Sequence, residues 1–117
     1  MNVAMAIAQH RSELIACMLE TADRTLPTPE SEVQQFFVGF VSVMQAAAEG
    51  DLGPRDEYLG SVVPAIRESG ITLEYVVGAM PRLATAAGCV LGREHAPWAA
   101  TFIADYTVRL LALWQRP

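Results

Sequence analysis

Residues 33–47 read Val33-Gln34-Gln35-Phe36-Phe37-Val38-Gly39-Phe40-Val41-Ser42-Val43-Met44-Gln45-Ala46-Ala47, and the spacing of their apolar members decides the fold class. Val33, Phe36, Phe37, Phe40, Val41, Met44 and Ala47 recur at steps of three and four. That period puts them on one face of a helix, whereas a strand would alternate them. Upstream, Thr28 or Ser31 is placed to accept from the free amides of a first turn, and Glu30 and Glu32 meet the positive end of the helix dipole. Downstream, Gly50-Asp51-Leu52-Gly53 closes the helix, Gly50 being free to adopt the left-handed conformation that ends one.

Working outward, the same period recurs on both sides. A first helix is expected from about Val3 to Asp23, with Val3, Ile7, Leu14, Met18 and Ala22 on one stripe. Leu26-Pro27-Thr28-Pro29 separates it from the second, because two prolines one residue apart favour extended backbone. A third helix begins around Pro54, buries Tyr58, Leu59, Val62, Val63 and Ile66, and stops at Gly70. Thr72 caps a fourth, whose stripe runs from Leu73 through Val76, Met80, Leu83 and Ala87 to Leu91. Pro97 opens the last, which carries Trp98, Phe102, Ile103, Tyr106, Leu110 and Leu113. Pro64 and Pro81 each remove one hydrogen bond inside a helix and are expected to kink it. The expectation is an all-α fold over residues 1–117, a single domain of about five helices in a globin-like or irregular bundle.

Composition bounds the function. Hydrophobic residues make up 52% of the 117 and charged residues 18%, which is the profile of a chain that folds. The apolar share slightly exceeds the usual range of about 45–50%, and a small monomer has limited interior, so a homodimer is expected. The net charge is −5, and the eight basic residues are scattered arginines. No basic patch is offered to nucleic acid or to an anionic membrane surface. No run approaches the roughly 20 apolar residues of a membrane span, and Met1 to Ile7 lacks the basic start of a signal peptide. A cytoplasmic protein is expected.

Catalytic chemistry finds no foothold. The serines read as surface, cap or turn residues, His10 as an exposed position in the first helix and His95 as a loop position, with no local signature of an activated nucleophile. A zinc site wants several Cys or His ligands with a short-spaced pair, and Cys17 and Cys89 read as separate, buried, inert thiols. Glu94 and His95 are adjacent and would face different ways on a helix. No enzyme, metal or cofactor is expected.

Two binding roles remain. An apolar pocket inside the bundle could be lined by Phe36, Phe37, Phe40, Met44, Tyr75, Met80, Trp98 and Phe102. It would take an apolar effector, or haem if His10 turned inward as axial ligand. The last helix is apolar on more than one side, and Val108, Leu111 and Trp114 form a face for a second copy or a partner protein.

The string Glu68-Ser69-Gly70-Ile71-Thr72-Leu73-Glu74-Tyr75-Val76-Val77 resembles a turn in the N-terminal sensor domains of the RsbR/RsbRD stressosome family, and the likeness extends over about residues 33–113. The resemblance implies a globin-like or bundle fold that lacks haem in its best-known branch, dimerises, and passes a signal to an effector. These residues include no STAS, DNA-binding or kinase segment, so the implied output runs through a separate signalling protein or the sequence is a fragment of a larger regulator. The leading expectation is a non-enzymatic regulatory domain that dimerises and binds a partner through helical faces. The alternative is a small-molecule sensor.

Overall fold

A computed structural model describes residues 1–22 and 25–116. They form six helices: α1 Val3–Gln9, α2 Arg11–Glu20, α3 Glu30–Ala48, α4 Gly53–Glu68, α5 Leu73–Leu91 and α6 Ala96–Trp114. The fold is an all-α helical bundle. α5 packs along α6, α2 lies against α3 and α5, α3 touches α1 and α4, and α4 also reaches α6.

The expected first helix is two. The stripe from Ile7 would need an apolar side chain at position 10 or 11, and His10 and Arg11 stand there. His10 leaves helical geometry at φ −107°, ψ 22°, and its Nδ1 lies 3.2 Å from Glu13 Oε1. Arg11 donates to Ser42 Oγ at 2.6 Å and to the Val38 carbonyl at 3.4 Å, fixing the start of α2 on α3. α1 is capped by Asn2, whose Oδ1 accepts from the Met5 amide at 2.8 Å. Within the described residues α2 ends at Glu20, and the expected end at Asp23 lies outside them.

Neither internal proline divides its helix. α4 runs through Pro64 and α5 through Pro81. Both proline residues are exposed, and each withholds one amide from its helix. The stops fall where expected: Gly50, Gly70 and Gly92 have φ of 96°, 85° and 87°, a region closed to most side chains. Thr72 Oγ1 accepts from the Tyr75 amide at 3.2 Å. The expected side-chain cap of α3 is absent; Pro29 occupies the cap position, and neither Thr28 nor Ser31 caps it.

One buried cluster spans all six helices and holds Ile7, Leu14, Met18, Phe40, Met44, Leu59, Met80, Ile103, Tyr106 and Leu110 among others. Its centre is aromatic. Phe40 meets Tyr106 edge-on at 4.9 Å and Phe102 at 5.9 Å, and Trp98 stacks on Phe102 at 5.4 Å. Two polar features tie helices across this core. The Tyr58 hydroxyl of α4 donates to the Phe36 carbonyl of α3 at 2.7 Å. Arg55 of α4, only 4% exposed, donates to Asp105 of α6 at 2.7 Å and to Asp56 at 3.1 Å.

Candidate apolar cleft

A cleft of about 220 Å³ opens between α3, α4 and α5. The 3.6-residue period of each helix turns one side of its stripe to this space. α3 supplies Val33, Phe36 and Phe37; α4 supplies Val62, Ala65 and Ile66; α5 supplies Tyr75, Val76, Ala79, Met80 and Leu83. The α2–α3 connection closes one end with Thr21, Ala22, Leu26 and Thr28, and Ser69 and Ile71 close another from the α4–α5 turn. Glu32 is the charged residue on the wall.

Most of the polar atoms on this wall are already committed. Thr21 Oγ1 donates to the Met18 carbonyl at 2.6 Å and Ser69 Oγ to the Ile66 carbonyl at 2.7 Å. The Arg82 guanidinium sits 5.8 Å from the centre of the Tyr75 ring. Thr28 differs, because its Oγ1 is buried and has no hydrogen-bond partner among the described residues. The surface therefore favours a largely apolar occupant with few polar atoms.

Of the residues read from the sequence as pocket lining, Phe36, Phe37, Tyr75 and Met80 stand on this wall. Phe40 and Met44 are fully buried in the packed core, Phe102 is buried, and Trp98 lies against Phe102 at the start of α6. The sequence reading missed Val62, Ile66, Leu26 and Thr28 as lining. For Val62 and Ile66 the pattern gave the inward face of α4 but not whether a side chain or a space stands opposite.

Of the expected partner face, Val108 is 64% exposed, Leu111 is half-buried, and Trp114 is half-buried and packed on the core. The apolar residues behind that expectation are largely taken up inside the chain, and the large apolar side chains exposed among the described residues are Met1, Met5, Leu52 and Val108.

Neither histidine lines the cleft. His10 stands at the α1–α2 break. His95 precedes α6, and its Nε2 lies 3.9 Å from Glu94 Oε2, a contact made in a turn where a helix would have kept the two apart. Among the described residues no three His, Cys, Asp or Glu side chains converge as a metal site would require. Both cysteines are free; Cys17 is half-buried, while Cys89 is exposed and not buried as the sequence suggested. Burial, then the charge of Glu20 and the neighbouring Cys89, push the Cys17 thiol up, away from a reactive thiolate. No described helix is long and apolar enough to cross a membrane.

Comparison with family models, with curated proteins and with solved structures returns no match for this chain.

Proposed function

We propose that this chain is a non-enzymatic, cytoplasmic regulatory domain that takes a small apolar effector into the cleft between α3, α4 and α5. The observation that carries the proposal is the cleft itself, about 220 Å³ with a wall that is apolar nearly throughout. An apolar void of about 150 Å³ is enough to hold benzene in a helical protein. The apolar-effector form is preferred to haem because neither histidine is on the wall. The likeness of residues 68–77 to the stressosome sensor domains supports a regulatory output.

An effector seated there would touch helices from separate parts of the chain, so occupancy changes their mutual packing and not one helix alone. α5 forms one wall and packs along α6. That path carries the effect to the outer face of α6. The test is a neutral solvatochromic dye such as Nile red, with Ala79→Phe as the variant that fills the cleft. Enhanced emission with the native chain, lost in a folded Ala79→Phe variant, is the expected result. No enhancement, or enhancement untouched by the substitution, would overturn the proposal.

A second reading has the outer face of α6, where Val108 is exposed and Leu111 half-buried, docking a second copy or a separate signalling protein. Sedimentation velocity should then show a dimer that Val108→Glu dissociates. A monomer at high concentration removes the homodimer.

A further inference from the structure

We infer that the occupant of the cleft is a neutral fused-ring aromatic; this rests on the apolar-effector reading above. The walls that α3 and α5 present carry the side chains that favour a π-system: Phe36 and Phe37 on one helix, Tyr75 and Met80 on the other. An aromatic ring attracts another ring edge-to-face or offset, beyond what burial of area supplies, and a thioether sulfur adds its own favourable contact with a ring. A saturated chain in the same space would gain from burial alone. Size agrees with this chemistry. A void of about 150 Å³ holds one benzene ring, and the cleft, at about 220 Å³, has room for a second ring fused to it.

The rings are held in place before anything binds. Phe36 stacks on Phe40 at 6.1 Å and on Tyr58 at 6.0 Å, and neither of those two lines the cleft. Phe37, only 5% exposed, meets Phe36 edge-on at 5.2 Å. On the facing helix the Arg82 guanidinium lies 5.8 Å from the centre of the Tyr75 ring and donates to the Gly78 carbonyl at 3.1 Å. Arg82 is not on the wall, so it covers that ring from outside the cleft. Each ring thus has a partner behind it, and an occupant meets a surface that needs little further ordering. None of the four side chains carries a charge, so an ionised occupant would lose its hydration there without a counter-charge.

Titration of the isotope-labelled full chain with naphthalene, toluene and methylcyclohexane, followed by NMR, tests the assignment. Toluene and methylcyclohexane share a carbon skeleton, so the π-system is what separates them. Naphthalene should bind more tightly than toluene. In Tyr75→Leu, at a half-buried position, both aromatics should weaken roughly two- to tenfold, the range of one aromatic pair, while methylcyclohexane binding holds or strengthens. Met80→Leu, a volume-conserving change of a buried side chain, should weaken the aromatics by a smaller factor and again leave methylcyclohexane alone. If methylcyclohexane binds and the two substitutions change it as much as they change the aromatics, the aromatic assignment is overturned and the apolar cleft stands. Naphthalene binding more weakly than toluene overturns the fused-ring assignment. If none of the three binds, the cleft reading and the aromatic assignment are both overturned.

Discussion

Gly39 and Tyr58 fit so closely that the smallest side chain would not pass. A Cβ on Gly39 would come 2.6 Å from the Tyr58 hydroxyl and 2.7 Å from its ring, well inside contact distance. Gly39→Ala should therefore displace the ring that bonds the Phe36 carbonyl and lower stability by about 1–3 kcal/mol, measured by urea unfolding. The same hydroxyl gives a pH dependence. Burial pushes the Tyr58 phenol up to about 12, and burial raises Tyr106 further in the same direction, with Tyr58 adding to it. A group whose folded pKa is raised keeps its full contribution below its unfolded value, about 10 for tyrosine, and loses it as pH climbs toward the folded one. Unfolding free energy should thus stay level with respect to these groups up to about pH 10 and fall above it, less steeply in Tyr58→Phe. A decline that Tyr58→Phe leaves unchanged would contradict the assignment. Tyr106 presents the opposite case to Tyr58: its buried hydroxyl has no partner among the described residues. Tyr106→Phe should accordingly leave the melting temperature unchanged or raise it, because no hydrogen bond is lost.

At the scale of the helix, the seam between α4 and α6 depends on Arg55. Asp105 Oδ2 accepts from Arg55 at 2.7 Å and from Arg109 at 3.2 Å, so one carboxylate holds a buried cation and a surface one. Asp105→Asn should lower stability by about 1–3 kcal/mol through loss of a charged hydrogen bond, and Arg109→Gln by a few tenths only. The prolines give a contrasting expectation. Pro64→Ala restores a hydrogen bond in α4 and relieves a residue about 3 kcal/mol poorer than alanine in a helix interior, set against roughly 1 kcal/mol of lost unfolded-chain restriction. A rise in melting temperature is expected, and a fall would mean that the ring is needed in place. These helices also show what the sequence made legible. α3 was readable because seven apolar residues keep one period, and the ends at Gly50, Gly70 and Gly92 because positive φ selects glycine. The division at His10 was harder to see, since apolar residues resume in phase at Leu14, and only the polar pair at positions 10 and 11 marks the break. Pro64 and Pro81 each sit exposed inside a continuous helix, so the bend expected at each does not interrupt the helix.

Over the whole molecule, the apolar excess that suggested a second chain is largely absorbed by one buried cluster, leaving Val108 as the large apolar side chain exposed on α6 among the described residues. The cleft was half legible. Phe36, Phe37, Tyr75 and Met80 stand on its wall, whereas Phe40 and Phe102 make packed aromatic contacts and Met44 is fully buried in the core. Periodicity tells which side of a helix is inward; it does not tell whether the space opposite is filled, and that depends on where the α2–α3 connection and the α4–α5 turn come to rest. Chemical-shift mapping of the isotope-labelled chain with 1-octanol tests the central claim most directly. The account expects saturable shifts centred on Val33, Val62, Ala79 and Leu83, with α1 unaffected. Shifts that never saturate, or that gather around Val108 and leave those four unmoved, would contradict it.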